Sequence, residues 1–179
     1  VFYCPNDTSQ TRDQWQPSFR KFLQEKGFRI LNSADINSDG SVDFIKSQKI
    51  DFLFSLQFNK ILKKEILEIP EFGSINLHYS PLPKYRGVAA PTWALINGEK
   101  EFGVTLHYID ERVDTGDIID QSIFNIEQVQ NTRKLYDLCV QKGVSLFKDN
   151  IDSVFDLQNS KTQQDGSQAL YYPRSAIDF

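Results

Sequence analysis

The chain has 179 residues, 40% apolar and 25% charged, with a formal net charge of −4. That length carries one domain with its own core, and an acidic balance with dispersed Lys and Arg lacks the basic stripe that tight binding of a long nucleic acid calls for. No apolar run approaches the ~20 residues that span a bilayer, and Cys4 and Cys139 are too few for a secreted disulfide framework, so a reducing cytoplasm is expected.

Val1-Phe2-Tyr3-Cys4 reads as a strand already under way that ends at Pro5-Asn6-Asp7. With no initiator methionine and no signal-peptide pattern, upstream residues are expected to be absent from this chain. Pro17 to Lys26 spaces Phe19, Phe22 and Leu23 as one helical face, with Gly27 as its C-cap. Phe28 to Leu31 reads as a strand and Ser41 to Gln48 as a second helix. Asp51 to Ser55 is near-continuously apolar, as in a parallel sheet covered on both faces. Ile61 to Leu67 reads as a short helix, and Ser74 to His78 as the next strand. Beyond Pro91 the pattern predicts a helix over Thr92 to Ile96, a strand over Gly103 to Ile109, a polar turn over Asp110 to Gly116 and a strand region over Asp117 to Ile126. Asn131 to Val154 reads as a long closing helix, 157–168 as a polar loop, and Leu170 to Pro173 as a short edge strand. Strand and helix in alternation predict an α/β domain with right-handed crossovers and neither repeat nor second domain.

Asn76 and His78 stand out, two polar side chains at i and i+2 in an apolar stretch. On a strand they share one face, and the Ser80-Pro81-Leu82-Pro83 loop follows, where a pocket can open. A carboxamide that donates to a developing oxyanion beside an imidazole that moves protons suits attack on a carbonyl carbon. A lone strand histidine is more often a satisfied structural group, and the neighbouring Asn76 weakens that reading here. Asp114, in Asp114-Thr115-Gly116, is an ordinary turn former that could instead orient the His78 ring and raise its pKa. Sequence physics cannot bring Asp114 to His78; only the fold can.

His107 reads as a structural or supporting group. Lys84 and Arg86 flank the loop and could meet an anionic substrate group, with solvated loop charge an equal alternative. Trp93 reads as core or pocket wall, and Tyr171 and Tyr172 as edge-strand packing. Phosphate-cradling glycine loops, a nucleophilic-serine elbow and a zinc pattern are all missing, so no metal site is expected.

Asn76-Leu77-His78, Ser80-Pro81-Leu82-Pro83, Gly103-Val104-Thr105 and Asp114-Thr115-Gly116 together resemble the signature of the 10-formyltetrahydrofolate-dependent formyltransferases. Weaker similarity runs from about Val1 to Asn150. The resemblance implies a Rossmann-like formyltransferase fold, α/β, with a mostly parallel sheet and helices on both faces. It also implies that one strand-helix unit of roughly 25–30 residues is missing ahead of Val1, so that residues 1–179 form a single, N-terminally incomplete catalytic domain. Asn76 would polarise the formyl carbonyl and stabilise the tetrahedral intermediate, His78 would shuttle protons, and Asp114 would tune His78. Backbone groups of Lys60, Ile61 and Leu62, and of Asp110, Glu111, Arg112 and Val113, would hold the pterin of 10-formyltetrahydrofolate, while Ser80, Lys84 and Arg86 would meet the acceptor.

Of the acceptors that such enzymes formylate, the acidic balance and the tail Gln164 to Arg174 favour the amine of a nucleotide-linked amino-deoxy sugar made for a surface polysaccharide. The expected partners are therefore small molecules, with neither nucleic acid nor membrane, and a homodimer stays open. Two alternatives stand beside it: the catalytic domain of a methionyl-tRNA formyltransferase without its C-terminal domain, and a non-catalytic folate- or nucleotide-binding module.

Overall fold

The computed structural model describes residues 1–4, 17–58 and 60–176. The expected turn at Pro5-Asn6-Asp7 lies outside them. The chain forms two compact units, Val1–Ile50 with Leu62–Glu71, and Asp51–Ile61 with Phe72–Phe179.

In the first unit, α1 (Phe19–Glu25) starts where Ser18 Oγ accepts the Lys21 N–H at 3.0 Å, satisfying one of the donors a helix start leaves open. α2 (Asp39–Ser47) also has a serine ahead of it, but Ser38 makes no cap bond and its hydroxyl donates to the Asp35 carbonyl at 2.9 Å. The strands expected at Val1–Cys4 and Phe28–Leu31 shrink to one parallel bridge between Phe2 and Ile30. A reason is visible at its edge: the Phe28 N–H is already spent on the Leu23 carbonyl at the end of α1. The helix expected from Ile61 begins only at α3 (Lys64–Leu67). Lys63 ahead of it is extended, and its N–H goes to Asn37 Oδ1 at 2.9 Å.

The second unit contains, in chain order, β1 (Phe52–Leu56), β2 (Gly73–His78), β3 (Arg86–Gly87), α4 (Ala90–Ile96), β4 (Glu101–Tyr108), β5 (Ile118–Asn125), α5 (Thr132–Phe155) and β6 (Tyr171–Tyr172). Four strands pair in the order β1-β2-β4-β5, and β3 pairs with β6. The alternation expected from sequence is present, and the four-stranded sheet is mixed. β1 runs parallel to β2, whereas β2–β4 and β4–β5 are antiparallel. A short hairpin loop joins β4 to β5, and a connection that short fits only an antiparallel pair. The two-residue β3 was not legible as a strand; it runs parallel to β6.

Alternation along β2 divides its side chains. Ile75, Leu77 and the adjoining Tyr79 enter a core shared with Val104, Leu106, Leu135, Cys139 and Leu146. α5 packs across β4 and β5, and α4 rests on α5. Burial of each such aliphatic side chain stabilises the fold by about 1.5–3 kcal/mol. β2 is thus fixed in register by its apolar residues, and the register aims its polar ones.

Candidate active site

Asn76 and His78 occupy the β2 face opposite to Ile75 and Leu77. The register with β4 sets Asn76 across from His107 and His78 across from Thr105, so four polar side chains share one face. Asn76 Nδ2 lies 3.1 Å from His107 Nε2.

The tautomer of His107 follows from its other nitrogen. Nδ1 sits 2.7 Å from the Tyr108 carbonyl oxygen, which can only accept, so Nδ1 carries the proton. Burial first, and then the neighbouring His78 charge, push His107 down to about 4, so at neutral pH its Nε2 presents a lone pair. The Asn76 amide nitrogen therefore donates to it, which fixes the carboxamide orientation and leaves one N–H for another acceptor. His107 Nε2 also lies 3.8 Å from Asp114 Oδ1, yet a neutral ring protonated on Nδ1 forms no ion pair there.

His78 is wired differently. Its Nε2 is 3.0 Å from the Tyr85 carbonyl oxygen, so that nitrogen donates, and Nδ1 is the basic position of the neutral ring. Asp114 Oδ2 lies 3.8 Å from Nε2, close enough for electrostatics and too long for a hydrogen bond. The same oxygen accepts the Gly87 N–H at 2.8 Å. The carboxylate from the β4–β5 loop and the β2 imidazole are thus neighbours, each still bonded to the 85–87 segment.

Several local constraints bring Asp114 there. Its backbone is left-handed, with φ 53°, a region that costs a non-glycine residue roughly 1–2 kcal/mol. Gly116 packs so tightly that any Cβ would overlap the Tyr108 carbonyl oxygen. Asp110 Oδ1 accepts from the Arg112 N–H and the Thr115 hydroxyl, closing the loop start. Glu111 and Arg112 are exposed and Val113 is half-buried.

The loop after β2 is held from below. Thr105, fully buried, donates from Oγ1 to the Ser80 carbonyl at 2.7 Å and accepts from the Leu82 N–H at 3.2 Å. Gln121 Nε2 bonds both Thr105 Oγ1 and the Leu82 carbonyl. Ser80, expected to meet the acceptor, is fully buried and its hydroxyl donates to the Lys84 carbonyl at 2.9 Å. That corrects the expectation: Ser80 shapes the loop, and burial removes its side chain from ligand contact. Lys84 is exposed and Arg86 half-buried.

Tyr85 is a buried ring whose hydroxyl donates to Glu99 at 2.6 Å. Burial, followed by the Glu99 contact, pushes the phenol up to about 12. Its ring stacks on Tyr172, which stacks on Trp93 at 4.6 Å, so the aromatic residues pack the wall behind the carbonyl that His78 addresses. Gly87 has φ 97°, and a Cβ there would overlap the Tyr172 carbonyl oxygen. Lys60 and Ile61 are exposed and Leu62 is half-buried, where the chain passes from the second unit into the first.

Sequence reasoning missed the Tyr85 carbonyl and the Gly87 N–H because backbone groups leave no residue signature. It also missed Thr105 and Gln121 as braces. The orientation of Asn76 by His107 had a signal, since two polar residues on neighbouring strands face each other once the register is known.

Fold and site together define an α/β protein in which a carboxamide, an imidazole and a carboxylate come together on one side of the sheet. The family model described as Formyl transferase matches residues 6–151, more than half of the chain, and the chain belongs to that family. The methionyl-tRNA formyltransferase of Lysinibacillus sphaericus is 37% identical over 155 residues, covering 87% of this chain and 50% of that protein. The chain thus spans about half the length of that curated relative. A solved N-formyltransferase from Helicobacter canadensis, in complex with folinic acid and dTDP-3-aminofucose, is 31% identical with a TM-score of 0.75, covering 93% of this chain and 58% of that one. WlaRD, a sugar 3N-formyl transferase solved with dTDP and 5-N-formyl-THF, is 33% identical with a TM-score of 0.78, covering 97% and 58%. The fold is the Rossmann-like α/β fold of formyltransferases.

Proposed function

We propose that residues 1–179 supply a catalytic domain that moves a formyl group from 10-formyltetrahydrofolate to the primary amine of a nucleotide-linked amino-deoxy sugar. The observation that carries this reading is the convergence of Asn76, His78 and Asp114, with His78 Nε2 3.8 Å from Asp114 Oδ2 and Asn76 two residues along the same strand face. The N–H of Asn76 not engaged by His107 donates to the carbonyl oxygen as charge builds on it. His78 takes the proton released by the attacking amine and returns it to the departing folate nitrogen. One C–N bond forms, one breaks, and the proton ends on the leaving group. Asp114 stabilises the imidazolium in between. Backbone groups of Lys60 to Leu62 and of Asp110 to Val113 hold the pterin, and Lys84 and Arg86 meet acceptor charge.

The sugar acceptor draws support from the two solved relatives, whose ligands are folates with a dTDP-amino sugar or dTDP, and from the net charge of −4. Small-molecule partners and a cytoplasmic setting belong to the same reading. Among the described residues no helix is long and apolar enough to cross a membrane. A second reading, transfer to methionyl-tRNA, is favoured by the 37% identity to the Lysinibacillus sphaericus enzyme. The test incubates the chain and 10-formyltetrahydrofolate with a panel of nucleotide-linked amino sugars and, separately, with methionyl-tRNA, scored by mass for one added formyl group. Transfer to a sugar supports the proposal; transfer to methionyl-tRNA alone selects the second reading; binding of folate with no transfer leaves only a binding module.

A further inference from the structure

Gln164 lies in the polar stretch between α5 and β6, at the start of the tail noted in the sequence, and has no role assigned above. Its side-chain amide is fully committed. Nε2 donates to the backbone carbonyls of Asp114 at 3.0 Å and Gly116 at 2.8 Å. Oε1 accepts from Arg86 Nε at 3.1 Å and Nη2 at 2.7 Å. One planar group therefore ties the Asp114 turn to β3, and β3 contributes the Gly87 N–H that Asp114 Oδ2 accepts. The stretch carrying Gln164 is itself anchored two residues earlier, where Thr162 exchanges backbone hydrogen bonds with Ile118 of β5 at 2.8 and 2.9 Å.

The turn needs such a brace. Asp114 holds φ 53°, and a non-glycine residue persists there only when its surroundings over-determine the backbone. The two carbonyls flanking Thr115 point to a common donor, and an amide with two N–H groups and an accepting oxygen serves them and the guanidinium together.

We propose that Gln164 is a positioning residue for formyl transfer, clamping the Asp114 turn against Arg86 so that the carboxylate faces His78. The proposal rests on the formyl-transfer reading above. It assigns the N–H pair, and not bulk or the Arg86 contact alone, as the functional part of the side chain. Glutamate at this position keeps the length and the oxygen for Arg86 but turns a second oxygen toward two carbonyls. Methionine keeps length and loses both bonds.

The experiment compares the full chain with Gln164→Glu and Gln164→Met. The first readout is the Gly87 backbone amide in proton–nitrogen spectra, which reports its bond to Asp114 without any substrate. In both variants this signal is expected to shift and its hydrogen exchange to quicken. The second readout is steady-state kinetics with 10-formyltetrahydrofolate and whichever acceptor the wild type formylates. There kcat is expected to fall by roughly 10- to 100-fold, since small misplacements of a reacting geometry cost on that order, while KM for the donor stays nearly constant. A merely structural role predicts the opposite split: Gln164→Glu, which keeps the Arg86 partner, recovers kcat, and losses track the melting temperature. Wild-type kcat in Gln164→Glu, or an unmoved Gly87 amide in both variants, overturns the proposal. A wild-type chain that formylates nothing overturns the functional reading instead, and the Gly87 amide then still decides whether the clamp exists.

Discussion

In β2, period-2 alternation alone sets Asn76 and His78 on one face while Leu77 between them enters the core. In the loop between β4 and β5, Asp114 reaches the same place through a left-handed backbone, a glycine with no room for a Cβ, and the N–H of Gly87. The strand borrows its precision from the sheet, so its polar side chains can be exchanged without disturbing what aims them. The loop has no ladder of its own, and its precision comes from contacts scattered along the chain. Substitutions should therefore separate chemistry from architecture in β2 and fuse the two in the loop.

The sharpest way to break that contrast is His78→Ala, expected to lower kcat by about 10²- to 10⁴-fold, the usual worth of a general acid–base, with a urea midpoint lowered only by loss of the bond to the Tyr85 carbonyl. Near-normal turnover in single-turnover assays would remove His78 from the chemistry. Asn76→Ala is expected to lose about 10²- to 10³-fold in kcat, as for a lost oxyanion donor, again with the fold intact by circular dichroism.

Acid probes the face that the strands share. Burial pushes His107 from its ordinary 6.5 down to about 4, so the folded state refuses a proton that the unfolded chain accepts. The associated stability is complete above about pH 6.5 and drains away as pH falls toward 4, by on the order of 3 kcal/mol at full shift. Urea midpoints at pH 7 and 4.5 should diverge in the wild type, and His107→Gln should flatten that slope. An equal slope in both would mean that His107 is not held neutral.

Gly116→Ala tests the loop, and overpacking against the Tyr108 carbonyl should cost about 1–3 kcal/mol and reduce turnover at the same time. Turnover preserved despite lost stability would show that Asp114 does not depend on the tight turn. Thr105→Val is the mildest: it strands the Leu82 N–H and costs about 1–3 kcal/mol by urea melts, with activity falling only as far as the Ser80 loop shifts.

Legibility in the sequence followed the same division. The helices at Phe19–Glu25, Ala90–Ile96 and Thr132–Phe155 and the strands at Phe52–Leu56 and Gly73–His78 carry their own periodicity and end signals, so their positions could be read nearly to the residue. Asn76 and His78 were readable for the same reason, as polar residues interrupting an apolar strand. Whatever depends on register or on a distant partner was not. The one-bridge meeting of Phe2 and Ile30, the two-residue β3 and the bracing by Thr105 and Gln121 are settled by neighbours remote in sequence, and the inward turn of Ser80 by a loop that bonds its hydroxyl to the Lys84 carbonyl. Asp114 lies between these cases: its turn was recognisable, its approach to His78 was not, and the motif resemblance supplied what periodicity could not.

The two-residue ladder between β3 and β6 has a consequence for how such a protein comes to life. Arg86–Gly87 pairs with Tyr171–Tyr172, and Tyr172 is also the middle ring of the stack that links Tyr85 to Trp93. During synthesis the four-stranded sheet and α5 can assemble while this last partner is still inside the ribosome, and contacts of such long range form late in any case. Folding and competence are then separate events, and a nascent chain acquires its working geometry only once the stretch carrying Tyr172 has emerged and docked.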